Sequence, residues 1–292
     1  MCSSDLAKAQ KVLEASWFNP IMNTRSVRIT DNTYVIQGMP NVGIIVGSKG
    51  ALVVDTGAGT KNGEMVYKEA QRRSKGPIYL ATTLNLPPNA SGGSAFPASV
   101  KYIRCKAQQA QADADDKNAI AYYQKNPVFK DLLNDVKERK GDILFDSKYD
   151  LDLGTVHVTL YCFPTAYGHG DTAVFAQEDR AMWTGGLMLR DAAPDFLPGS
   201  SFKGWFAAID TLAALHPYIT VPVKGEMYDY NLPRQTRLFL EALQARALAL
   251  KSEGKKPEEA GQIINAEFKK KYPEWQLGDL TRGVTRAYAE AK

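Results

Sequence analysis

Histidine is scarce. His157, His169 and His216 are the only three in 292 residues. A zinc enzyme that relies on imidazole needs several of them converging on one point. His157 stands in an alternating, strand-like run and His216 directly before Pro217, and both read as structural. That leaves His169 as the one histidine in a loop of the kind that forms sites. Cysteine is equally sparse: Cys2, Cys105 and Cys162 are too few and too scattered for a disulfide framework or a cysteine-based zinc site. Cys105 and Cys162 read as two separate buried thiols, with a bridge between them as the alternative. No apolar run reaches the roughly 18 residues that a membrane span requires. Charge of one sign is lacking too. The net charge is +4, and the short basic runs "KERK" and "KKK" read as solvated helix ends, so nothing argues for a nucleic-acid partner. The start "MCSSDL" has neither the basic nor the apolar region of a signal peptide. Two readings of residues 1–6 stand, a non-native scar or a trimmed lipoprotein start at Cys2. Either would put a targeting segment outside these 292 residues and allow a periplasmic or secreted location. Otherwise the expectation is cytoplasmic.

What the chain does have is ordered periodicity. Residues 7–16 have helical spacing. "VRITDNTYVIQG" (27–38) alternates about a turn at Asp31 and Asn32 and predicts a hairpin. "VGIIVGSKGALVVDTGAG" (42–59) predicts two strands ending in Asp55-Thr56-Gly57, followed by a helix over 61–74. "PIYLATT" (77–83) reads as a buried strand and "VKYIRC" (100–105) as another. Residues 106–140 are polar enough to read as exposed helices. A second strand-rich half then begins near Asp142, with hairpins over 149–164 and 172–186, a helix over 202–217 and a strand over 218–223. From Pro233 the chain reads as helical. Two α/β halves with facing sheets predict a four-layer αββα sandwich. The predicted division is an N-terminal segment (1–26), the sandwich (27–232) and a helical extension packed on it (233–292).

The loop "TTLNLPPNASGG" (82–93) follows a predicted strand, where α/β proteins often place chemistry, yet its centre is apolar. The ordered set "VVDTG", "TTLNLPPNASGG", "PTAYGHGD", "WTGGL" and "VPVKG" resembles the loops of the metallo-β-lactamase superfamily. It looks most like the SoxH-like branch, which includes metallohydrolases associated with quinoprotein dehydrogenases. The resemblance implies the αββα fold and two metal ions, usually zinc, that make a hydroxide near neutral pH. It also sets Leu84, Leu86, Pro88, Asn89, Tyr167, Gly186 and Lys224 where that family carries its ligands. Asp55, Thr56, Gly57, Gly92, Gly93, Asp171, Gly185 and Pro222 keep the family's frame.

Leucine and proline donate no lone pair and lysine is itself a cation, so these substitutions predict no metal and no other cofactor. Lys224 would then point into the vacated space and pair with Asp55. The expected function is a non-catalytic small-molecule-binding or accessory protein, lined by Asn89, His169, Asp55 and Asp171, with Trp183 and Trp205 as walls. Its ligand is unknown, and a metal-binding paralogue is a candidate partner. The alternative is a metal-independent hydrolase of esters or lactones with Lys224 and Tyr167 as catalytic groups. Asp195 in "APDF" reads as a loop cap.

Overall fold

A computed structural model describes residues 25–227 and 231–291. The helix expected over 7–16 lies outside them. Strands β1 (Val27–Arg28), β2 (Thr33–Ile36), β3 (Val42–Gly47), β4 (Gly50–Val54), β5 (Ile78–Ala81), β6 (Lys101–Cys105) and β7 (Ile143–Phe145) form one sheet in chain order. It is antiparallel from β1 to β4 and parallel from β4 to β7. The second sheet holds β8 (Lys148–Asp152), β9 (His157–Thr165), β10 (His169–Ala176), β11 (Ala181–Gly185) and β12 (Ile219–Pro222). Its members are antiparallel except for β12, which runs parallel to β11.

The period-two alternation of the strands decides what each layer buries. Ile45, Leu52 and Val54 point inward from the first sheet and meet Val158, Leu160, Val174 and Val221 of the second. Their neighbours Ile44 and Val53 point outward and are covered by Val66 and Ala70 of α1 (Gly59–Arg73). On the far side, Ala173, Phe175 and Met182 pack under α5 (Phe202–Ala213). The later helices α6 (Leu232–Ser252), α7 (Pro257–Lys271) and α8 (Thr281–Glu290) share that core through Phe239, Leu243, Ile264, Phe268 and Val284. Each of these side chains larger than alanine stabilises the fold by about 1.5–3 kcal/mol through burial. The result is the expected αββα sandwich. Among the described residues no helix is long and apolar enough to cross a membrane.

Three expectations change. Cys105 and Cys162 form a disulfide, with Cα atoms 5.9 Å apart. Cys105 ends β6 and Cys162 lies in β9, so the bond ties one sheet to the other across their shared core. Alternation places each cysteine inward but carries no information on their mutual register. Trp183 is no pocket wall: it is buried between the sheets, its indole against Gly43, where a Cβ would come within 2.4 Å of the ring. Residues 106–140 are not simply exposed helices either. Helix α3 (Lys106–Tyr123) buries Gln108, Gln109 and Ala112 at its start. Buried glutamines look like surface in a sequence, yet here their amides satisfy neighbouring backbone groups.

Candidate functional site

The loops at the C-terminal ends of β4, β5 and β11 and the β9–β10 turn meet at one edge of the sandwich. Backbone bonds stitch them: Thr56 N–H to Asn89 O at 2.8 Å, Thr172 N–H to Thr83 O at 2.9 Å, and Val223 N–H to Gly185 O at 2.9 Å. Buried Asn41 holds the loop after β12, donating through Nδ2 to Pro222 O at 3.0 Å and Gly225 O at 2.9 Å. Gln108 joins the loop after β5 to the β9–β10 turn by donating to Thr82 O at 3.1 Å and Gly170 O at 3.3 Å. Neither residue stands out in the sequence, because a positioning amide has no motif of its own.

Asp55 lies at the bottom, in a left-handed backbone conformation with φ 66°. Its carboxylate accepts from Thr83 N–H and Oγ1–H, both at 2.7 Å, and from Asn89 Nδ2 at 3.1 Å. Burial pushes its pKa up to about 7 despite these three donors. Asp171 is likewise pushed up to about 7 by burial. Its Oδ2 accepts from Gly168 N–H at 3.0 Å, while Oδ1 has no partner within hydrogen-bonding geometry. Both frame aspartates thus act on the loops, one on residues 83 and 89 and the other on the 166–168 turn.

The expected Lys224–Asp55 pair is not formed. Thr83 and Asn89 occupy the Asp55 oxygens, and among the described residues the carboxylate whose charge acts on Lys224 is Asp195. Burial lowers the Lys224 pKa, and Asp195 partly opposes that. The physical reason is economical: neutral donors already satisfy Asp55, so it needs no counter-ion.

Space at the centre is taken by rings. Tyr167 is buried and its ring packs against Gly186, where a Cβ would come within 2.6 Å of ring atom Cε1. Trp205 meets Tyr167 edge-on with ring centroids 5.5 Å apart, and its indole N–H donates to Leu187 O at 2.8 Å. Leu84, Leu187, Met188 and Phe196 complete this packing, with Leu86 at its margin. Trp205 is therefore buried behind Tyr167 and lines no open wall. Burial raises the Tyr167 pKa well above its usual value, and the charge of Asp195 adds to that. Tyr123 of α3 is raised to about 12 by burial and the same carboxylate. Asp195 is exposed, and its charge reaches Tyr167, Tyr123 and Lys224. His169 is also exposed, its ring set against Gly199.

Solved structures share this architecture. The stereoselective inverting sec-alkylsulfatase Pisa1 from Pseudomonas sp. aligns over 91% of this chain with a TM-score of 0.70 at 14% identity. This chain spans half the length of that protein, 50%. A metallo-β-lactamase from Pontibacter korlensis aligns over 74% of this chain and 98% of its own, with a TM-score of 0.60 at 16% identity. The DIM-1 metallo-β-lactamase aligns over 73% and 95%, with a TM-score of 0.60 at 11% identity. The fold is that of the metallo-β-lactamases. No protein-family model matches the chain, and no curated protein matches it in sequence.

At the positions where the resemblance sets the family's ligands, the side chains present do not fit a zinc pair. Leu84, Leu86 and Pro88 have no donor atom, Gly186 has no side chain, and Tyr167 is a buried phenol held far from ionisation. Asn89, the one neutral donor, is engaged with Asp55. Among the described residues, no three His, Cys, Asp or Glu side chains are grouped so as to hold a metal.

Proposed function

We propose that this metallo-β-lactamase-fold protein has exchanged its zinc centre for a hydrophobic plug and acts by binding a small molecule, as a non-catalytic or accessory protein. The observation that carries this reading is the Tyr167 ring lying on Gly186. The resemblance aligns these two positions with a histidine and a bridging aspartate, and the tyrosine fills the volume that a side chain at 186 would need. Substitutions that fit one another sterically are what a maintained plug requires. Independent decay has no reason to match a ring to a missing side chain. The ligand would be met by Lys224 and Asp195, whose charge also reaches Tyr123. A cation of lowered pKa and an exposed carboxylate suit a polar or zwitterionic molecule.

One observation favours the alternative, a metal-independent hydrolase of esters or lactones. Burial lowers the Lys224 pKa, the direction that a lysine base requires. Tyr167 does not share that work, since its phenol is pushed the other way.

The test is elemental analysis of the purified protein, joined to a panel of aryl esters, lactones, β-lactams and alkyl sulfates with and without chelator. The proposal expects far less than one zinc per chain and no turnover. Two zinc ions per chain, or turnover that chelator abolishes, would overturn it. Turnover indifferent to chelator and lost in Lys224→Ala would establish the alternative instead.

A further inference from the structure

The loop after β5 has a second face. Leu84 and Leu86 point into the plug, whereas Asn85, Pro87, Ala90 and Ser91 line a small cleft on the other side, about 20 Å³ in volume and open to solvent. Arg104 of β6 forms part of the cleft lining and is 3% exposed. Its guanidinium donates through Nε to Gln108 Oε1 at 3.1 Å, through Nη1 to Gln109 Oε1 at 3.3 Å and Arg139 O at 3.4 Å, and through Nη2 to Asn85 Oδ1. The face of Tyr102 is 5.3 Å away. Every one of these acceptors is neutral. No carboxylate of the described residues forms an ion pair with Arg104. Asp113 feels its charge, but only as the weakest of several influences, and is itself paired with Lys140 at 2.9 Å.

A buried guanidinium without a counter-ion costs several kcal/mol, which dipolar acceptors offset only in part. Four of the five N–H groups are occupied, and one Nη2 hydrogen is left over. The charge of the lining as a whole has the same sign. Lys137 and Arg139 border the cleft with Glu138 as the one acid, so three cations face one carboxylate. Arg139 is committed to Gly93 O, Phe96 O, Val100 O and Asp142. Lys137 is exposed and makes no ion pair among the described residues.

We infer that this cleft is a binding site for a small oxyanion, a phosphate or carboxylate group, with Arg104 as its buried counter-charge and Lys137 as the cation at its rim. The planar fork of arginine matches such oxygens, and its weak hydration makes it the cation best suited to wait in a buried site. The site is independent of the plug, because its residues lie on the opposite face of the loop.

The test is thermal unfolding in rising inorganic phosphate, and separately in acetate, with sodium chloride holding ionic strength constant. For the unaltered chain we expect a saturable rise in Tm with at least one of the two, roughly 2–3 °C at ten times Kd. Asn85→Asp places a carboxylate beside Arg104 within the chain. It should raise Tm in chloride alone and abolish the rise with the oxyanion. Lys137→Ala, an exposed change that leaves folding intact, should shift the midpoint to several-fold higher oxyanion concentration. No saturable rise in the unaltered chain overturns the inference. So does a rise of equal size and midpoint in the unaltered chain and Lys137→Ala, which would be a general salt effect.

Discussion

The fit between Tyr167 and Gly186 can be measured as a coupling energy. In Gly186→Ala the new Cβ would stand 2.6 Å from Cε1, 2.7 Å from Cδ1 and 2.9 Å from Cζ of the Tyr167 ring. All three lie inside ordinary van der Waals contact, so the ring has to move. It has little room to do so, since Trp205 meets it edge-on and Leu84, Leu187 and Met188 share its packing. Overpacking of this kind costs about 1–3 kcal/mol. Tyr167→Ala alone leaves a cavity and costs about 3–5 kcal/mol, as truncation of a buried aromatic does. In the double variant the added methyl has an empty space to enter, so its cost should fall below about 0.5 kcal/mol. The coupling is then about 1–3 kcal/mol of opposite sign to the single cost. Replacing glycine also narrows the unfolded ensemble, but that contribution is the same in both backgrounds and cancels in the cycle. Denaturant unfolding followed by far-ultraviolet circular dichroism gives all four stabilities. A Gly186→Ala cost that is equal with and without the ring would refute the idea that the tyrosine occupies this volume.

Two further outcomes follow from the buried groups. Asp55 and Asp171 titrate near pH 7 in the folded chain, above their unfolded value. Each therefore contributes stability that is complete below about pH 4 and is lost as pH rises through about 7. Asp171→Asn should flatten the fall in stability between pH 4 and 7 by on the order of a few kcal/mol, read from denaturant midpoints across pH; an unchanged slope would refute its raised pKa. The Cys105–Cys162 bond closes a loop between positions 57 residues apart. Loop entropy then sets its contribution at about 4 kcal/mol, so Cys105→Ser with Cys162→Ser should lower the unfolding free energy by that order and abolish a two-hydrogen mass shift on reduction. Retention of full stability would show that the bond constrains little.

The layers were legible because burial on one side of a strand writes period two into the sequence. Val156, Val158, Leu160 and Cys162 form such a series, and all four lie between the sheets. The loop edge was legible through its frame residues, since Asp55 and Asp171 make the contacts that shape those loops. Side-chain partnerships across the edge were not. A lysine and an aspartate invite pairing on the page, yet the Asp55 oxygens are taken by Thr83 and Asn89, and only three dimensions show that competition. Trp183 and Trp205 looked alike as aromatic neighbours of site loops. One faces the inter-sheet core and the other the helical layer, a distinction set by strand phase for the first and by the helix face for the second. Gln108 and Arg104 were invisible for a different reason: polarity in a sequence reads as surface, whereas these two serve buried acceptors and donors.

The apolar centre of "TTLNLPPNASGG" follows from the two faces of its loop. Alternating residues in an extended segment point to opposite sides, so Leu84 and Leu86 go one way and Asn85 the other. Towards the plug the loop supplies volume, in keeping with Tyr167 and against any ionised group, because a charge placed there would sit beside two aspartates already driven towards neutrality. Towards the cleft it supplies a dipole, the Asn85 amide oxygen on Arg104. The short helix that begins at Pro87 fixes the switch between the faces, since proline at the first helical position sets the backbone angle and needs no donor. A substitution at Leu86 and one at Asn85 should therefore act on different sites although they are adjacent in the chain. Leu86→Ala should soften the packing around Tyr167 and leave the oxyanion response of the cleft intact, whereas Asn85→Asp should do the reverse.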